Sequence, residues 1–193
     1  MKGSAMEFRQ SRLDDIDDIN AVFADGRASL RALGIDQWQN SYPTPEVVRG
    51  DIEQGHGFVA VDEDGSIVGI ASALFIGEKI YDDLDGPGWL TDSLSHEPRY
   101  CTIHRVAVSA RATGKGVGRF MIESIEALAR ENGSESVRVD THRGNAPMRN
   151  LLLKCGYTEC GVVHVLHVAE TTTERIAYEK LIEHNAADEA TGN

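Results

Sequence analysis

Apolar residues recur along this chain with two periods, and the switches between them predict the elements. Residues 7 to 12 read as a short first strand, and Ile16, Ile19, Val22 and Phe23 then fall on one face of a helix whose other face is acidic. Leu30 and Leu33 predict a second helix that stops at Gly34, and Thr44 caps a further helix with Pro45 in its first turn, running to about Gln54. Two apolar runs, Phe58 to Asp62 and Ile67 to Phe75, are joined by Asp62-Glu63-Asp64-Gly65, a hairpin signature. Residues 76 to 99 are rich in Asp, Gly and Pro and predict an irregular loop, long enough to point to function.

The second half starts with a strand from Tyr100 to Val108. A helix follows over Val117 to Glu131, with its apolar stripe at Val117, Phe120, Met121, Ile125 and Leu128 and its end at Asn132-Gly133. Val137 and Val139 mark another strand. Asn145 caps a helix with Pro147 in its first turn and Met148, Leu151, Leu152 and Cys155 on one face, and Gly156 terminates it. Strands from Tyr157 to about Val165 and from Thr173 to Leu181 complete the order βαα(α)βββαβαββ, an α/β (α+β) domain over residues 1–183, and residues 184–193 predict a disordered tail. His164 and His167 read as strand or loop residues.

Between the strand at 100–108 and the helix at 117 lies a turn with three glycines in five residues, Gly114-Lys115-Gly116-Val117-Gly118. Glycine takes φ values closed to other residues, so this backbone can turn several N–H groups toward one anion. The helix behind it adds its unpaired N–H groups and the positive end of its dipole. A diphosphate suits such a turn. The spacing excludes a P-loop, because Lys115 is followed by Gly116 rather than Ser or Thr, and it excludes Gly-x-Gly-x-x-Gly, whose third place falls on Arg119 or Met121.

The stretch resembles motif A of the GNAT superfamily of N-acetyltransferases, in which a strand leads into Arg/Gln-x-x-Gly-x-Gly/Ala and the loop wraps the pyrophosphate of acetyl-CoA. Thr113 stands at the usual Arg or Gln position; Arg111, Lys115 and Arg119 are the cations able to supply the missing charge. Asn145-Ala146-Pro147-Met148-Arg149-Asn150-Leu151-Leu152-Leu153-Lys154-Cys155-Gly156-Tyr157 resembles motif B, whose Asn contacts the pantetheine arm. The resemblance implies a single-domain, strongly twisted mixed sheet of six to seven strands flanked by helices and splayed at its central strands. It implies acetyl-CoA as cofactor and direct attack of an amine on the thioester. It places the coenzyme on backbone groups of Val106, Ala107 and Val108, on Arg111, Thr113, Gly114, Lys115, Gly116, Val117, Gly118 and Arg119, and on Asn145 and Lys154. Where many relatives carry a Tyr that protonates the departing thiolate, this chain has Leu152; Tyr157 is the candidate substitute, or else a core residue.

Candidate bases are His104, two residues before Val106 and so expected on the same side of the strand, and His142 at the end of Asp140-Thr141-His142. Trp38 and Tyr42, in Gln37-Trp38-Gln39-Asn40-Ser41-Tyr42-Pro43, and Trp89 either line the acceptor pocket or pin loops, and Asp82, Asp83, Asp85 and Asp92 are acids available to attract an amine.

Composition narrows the partners. At 193 residues and 41% hydrophobic content the chain can bury a full core. The formal net charge is -12, from 31 acidic and 19 basic residues, which excludes a nucleic-acid substrate and slightly favours a cationic acceptor. Cys101, Cys155 and Cys160 lack the paired spacing of a zinc site, so no metal is expected, and they read as reduced thiols of a cytoplasmic protein. No run reaches roughly 18 apolar residues, and the first residues lack the apolar core of a signal peptide, so no membrane association is expected. The readings left open are transfer to a small-molecule amine, transfer to a protein N-terminus or lysine, and a non-catalytic acyl-CoA-binding module. By analogy with relatives that pair through their C-terminal strands, a homodimer is expected.

Overall fold

Both hydrophobic periods are realised, in the order β1 (Glu7–Gln10), α1 (Ile16–Ala32), α2 (Pro45–Glu53), β2 (Gly57–Val61), β3 (Ile67–Leu74), β4 (Tyr100–Val108), α3 (Val117–Glu131), β5 (Ser136–His142), α4 (Ala146–Lys154), β6 (Thr158–His164) and β7 (Glu174–Leu181). The computed structural model describes residues 6–165 and 172–184. His167 and, apart from His184, the tail expected at 184–193 lie outside them.

The strands form one seven-stranded sheet in the order β1-β2-β3-β4-β5-β7-β6. Every pairing is antiparallel except β4 with β5, which is parallel. Helices cover both faces. Met121, Ile122 and Ile125 of α3 and Leu152 of α4 pack on Val137, Val139, Ile176 and Tyr178. On the opposite face Ile19, Val22 and Phe23 of α1 and Val48 of α2 pack on Val59 and Ile70. Each such side chain, fully buried, contributes about 1.5–3 kcal/mol relative to exposure.

Two expectations change. The strand β1 ends at Gln10, because the Arg12 N–H donates to the Asp15 carboxylate at 2.7 Å and starts a 3-10 turn. The two helices expected over residues 16–34 are one helix of 17 residues. Gly26 sits inside α1 where a Cβ would lie 3.1 Å from that of Ala107 and 3.4 Å from the Trp38 ring. Its missing side chain therefore lets the helix approach β4 closely. The stop at Gly34 stands: it holds φ 73°, and the Ile35 N–H reaches back to the Leu30 carbonyl in a Schellman closure.

The segment 76–99 is irregular but anchored. It contains a 3-10 turn at Lys79–Tyr81 and a bridge from Asp85 to Val162 beside the β6 edge. Arg138 on β5 is sandwiched between Trp89 and Tyr100, its guanidinium carbon 4.2 and 4.1 Å from the ring centroids. It donates to Glu179 at 2.9 Å, and to the carbonyls of Ser93 at 3.0 Å and Thr91 at 3.1 Å. Glu179 in turn accepts from Ser136 Oγ and Thr91 Oγ1, both at 2.6 Å, and from the backbone N–H of Leu90. A buried ion pair thus ties the long segment to the sheet. No helix among the described residues is long and apolar enough to cross a membrane.

Candidate active site

Strands β4 and β5 pair only from Tyr100↔Ser136 to Ile103↔Val139 and then part. The other edge of β4 stays paired with β3 as far as Gly69↔Val108. A register shift there inserts one extra residue into β4, and Arg105 holds φ 54°, the left-handed region that a strand residue enters at a bulge. Its guanidinium is clamped by both carboxylate oxygens of Asp51 at 2.7 Å each and donates to Tyr42 Oη at 3.2 Å. Burial alone would lower its pKa, but Tyr42 and Asp51 outweigh that and raise it, so the cation persists. Beyond Ile103 the β5-facing backbone groups of β4 have no strand to pair with. A cleft of about 1220 Å³ opens between the parted strands.

One end of the cleft is the glycine turn. Asp25 of α1 pins its approach by accepting from Ala110 N at 2.8 Å and Ser109 Oγ at 3.1 Å. Gly114 and Gly116 hold φ 79° and 84° with open space where a Cβ would stand, so conformation rather than crowding demands glycine. Gly118 differs: a Cβ there would lie 3.0 Å from Leu151 Cδ2, so it serves close packing of α3 on α4. The first helical N–H groups, from Val117, Gly118 and Arg119, have no intrahelical acceptor, and Gly116 at the cap supplies no side chain to them. Together with the helix dipole they form an anion site. These residues fit a diphosphate.

The other end carries the opposite charge. Glu78, at the head of the 3-10 turn, and Asp140, on β5 just past the point of parting, both line the cleft. Asp140 accepts from the buried Tyr81 hydroxyl at 2.9 Å, and burial, then Asp140, hold that phenol well above its ordinary pKa. Glu78 Oε2 lies 3.0 Å from His104 Nε2. Trp38, with φ 67° and its ring edge on Phe23, and Tyr42, bound by Arg105, also line the cleft. Sequence reasoning did not single out Glu78 or Arg105, and it placed the useful acids elsewhere: Asp82 is bound to Ser95 and Asp85 to His164, and neither lines the cleft.

The expected site residues divide accordingly. Val106, Ala107, Val108, Thr113, Gly114, Gly116, Val117, Gly118, Arg119, Asn145, Trp38, Tyr42 and His104 line the cleft. The Asn145 side chain is occupied as the α4 cap, accepting from Met148 N at 3.2 Å and donating to Thr141 Oγ1 at 3.3 Å. His104 does not share a side with Val106, as simple alternation predicts. It opposes Ser72 and follows Tyr100 and Thr102 on one face, whereas Val106 packs with Ile103 on the other, because the bulge at Arg105 resets the alternation.

Other expected residues are outside the cleft lining. Arg111 reaches toward Asp64 at 3.7 Å, and Lys115 and Lys154 are exposed. The His142 ring accepts the Gly144 N–H on Nδ1 at 3.0 Å beyond the cleft. Tyr157 is 3% exposed inside the core, where burial and then Glu126 push its phenol well above the usual range. It does not line the cleft. Trp89 stacks on Arg138 and donates to the Tyr81 carbonyl at 2.8 Å, so it pins the long segment instead of touching acceptor. Leu152 is fully buried, and its neighbour Leu151 faces the cleft. Burial pushes the Cys101 thiol up to about 12 and Cys160 to about 11, which removes both as nucleophiles.

Comparison with known proteins agrees with this geometry. The sequence model of the acetyltransferase (GNAT) family matches residues 27–157. A GNAT family acetyltransferase structure from Streptococcus agalactiae 2603 is similar, with 30% identity, TM-score 0.81, and 93% of this chain and 96% of that chain covered. A GNAT family acetyltransferase from Listeria monocytogenes 4b F2365 shares 20% identity with TM-score 0.68, over 93% of this chain and 96% of that one. The ribosomal-protein-S18-alanine N-acetyltransferase from Escherichia coli shares the fold at 14% identity and TM-score 0.61, over 94% of this chain and 96% of that one. No curated protein sequence matches. With a glycine turn built for a diphosphate beside parted central strands, and with a family match over most of its length, the chain belongs to the GNAT family of acetyltransferases.

Proposed function

We propose that this acetyltransferase acetylates a primary amine carried by a small molecule. The observation that carries the reading is the polarity of the cleft, with backbone amides for an anion at the glycine turn and two carboxylates and an imidazole where the strands part. The backbone N–H groups of the turn and of the α3 N-terminus hold the diphosphate, and β5-facing groups of residues 106–108 hold the pantetheine arm. Acetyl-CoA supplies the activated acetyl thioester. The acceptor amine enters as an ammonium attracted by Glu78 and Asp140. His104 takes its proton, and β4 N–H groups stabilise the charge that develops on the carbonyl oxygen. No acid is needed at Leu152, since the departing group is a thiolate whose conjugate thiol has a pKa of roughly 8.5. A small acceptor is favoured because the segment bearing Trp38 and Tyr42 and the turn bearing Glu78 both contribute side chains to the cleft lining.

The test is acetyl transfer measured against a panel of small primary amines and of peptides with free N-termini or lysines. Turnover confined to small amines supports the proposal; preferential turnover of peptides contradicts it, and CoA binding without turnover on any amine marks a binding module. His104→Ala is expected to lower kcat by about 10²- to 10⁴-fold with acetyl-CoA affinity unchanged, read by steady-state kinetics and calorimetry.

A further inference from the structure

We propose that Glu78 is a positioning residue, which fixes the tautomer and orientation of His104 so that Nδ1 is the basic atom offered to the acceptor. The inference rests on the reading of His104 as base. Glu78 Oε2 stands 3.0 Å from His104 Nε2, and among the described residues no partner meets Nδ1. A carboxylate can only accept at that contact, so Nε2 carries the proton in the neutral ring and the lone pair is left on Nδ1.

The geometry of Glu78 is itself held. Its backbone N–H donates to the Tyr100 hydroxyl at 3.0 Å, at the head of the turn whose Tyr81 binds Asp140. Tyr100 is one of the two rings that sandwich Arg138. The long segment 76–99 is therefore an arm, anchored by the buried ion pair and carrying a carboxylate to the cleft. His104 needs such support. It opposes Ser72 just before the bulge at Arg105, and among the described residues no side chain other than Glu78 bonds its ring.

The acceptor ammonium gives its proton to Nδ1, and the freed pair forms the C–N bond to the acetyl carbon. The C–S bond breaks with its pair left on sulfur, the second proton of the attacking nitrogen passes to that thiolate as the amide forms, and the imidazolium is compensated by the Glu78 carboxylate until its proton is lost to solvent.

The experiment is a ¹⁵N spectrum of the His104 ring in the protein without acetyl-CoA, assigned by the signal lost in His104→Ala, together with kinetics. The wild type is expected to show one neutral tautomer, with the proton on Nε2, and Glu78→Gln a mixture of both. Glu78→Gln is expected to lower kcat roughly 10- to 100-fold with KM for acetyl-CoA changed less than about threefold, and Glu78→Asp to recover part of the loss. In a His104→Ala background, Glu78→Gln is expected to change kcat by less than about twofold. Unchanged tautomer populations in Glu78→Gln overturn the proposal, as does an equal loss of kcat in the absence of His104. A His104→Ala protein with wild-type kcat removes the base assignment instead, and the ring spectrum alone then decides what Glu78 does.

Discussion

Gly116→Val weakens CoA binding by at least about 100-fold while the protein stays folded. Gly116 caps α3 with φ 84° and ψ 4°, a left-handed conformation that costs a β-branched residue on the order of 1–3 kcal/mol. That cost is smaller than the 5–15 kcal/mol stability of an ordinary domain, so the fold survives. The turn relieves the strain by rotating its peptide planes, and the N–H groups of Gly116 and Val117 then leave the anion. Each hydrogen bond to a charged group is worth about 1.5–3 kcal/mol, so losing two accounts for the expected drop. Gly116→Asn separates conformation from bulk, because asparagine tolerates this region and the space at Gly116 is open. Its affinity is expected to fall less than about tenfold. Calorimetry with CoA on both variants reads the difference; equal losses contradict the conformational account.

Arg138→Ala is expected to destabilise the protein by about 3–5 kcal/mol, measured by denaturant unfolding. Both Arg138 and Glu179 have side chains with no exposure, and removing the cation leaves the Glu179 carboxylate buried without its charge partner. It also empties the slot between Trp89 and Tyr100. Arg138→Met combined with Glu179→Leu is expected to recover most of the loss, since a buried pair replaced by apolar residues of similar volume is close to neutral. The pair has a pH signature as well. Burial by itself raises the Glu179 carboxyl, but hydrogen bonds from Ser136, Thr91 and Arg138 outweigh it and hold the pKa below the ordinary 4.5. A depressed folded-state pKa contributes stability above the unfolded value that is lost as pH falls through the folded one. Wild-type stability should therefore drop below about pH 4.5, and the paired apolar variant should lose that component.

The sequence made the cofactor end legible because its signals are local. Three glycines before an amphipathic helix specify a turn with exposed N–H groups, and Asn145 with Pro147 specifies a capped helix; both were readable within a few residues. The hairpin at residues 62–65 was readable for the same reason. The acceptor end depends on contacts between distant residues. Tyr100 to Val108 shows unbroken strand character, and nothing in it marks Arg105 as the inserted residue, because the bulge is stabilised by Asp51 on another helix. One undetected residue was enough to put His104 on the wrong face. Trp89 was similarly ambiguous, since its partner Arg138 lies far along the chain in a run that alternates like any half-buried strand.

The central claim is that the amides at the start of α3 grip a diphosphate, and a ¹H–¹⁵N titration of the protein with CoA tests it most directly. The account predicts saturable shifts that are largest at the amides of Gly114, Gly116, Val117, Gly118 and Arg119. Amides there that stay unmoved while CoA saturates its site elsewhere, or a protein that shows no shifts at all at millimolar CoA, would contradict it.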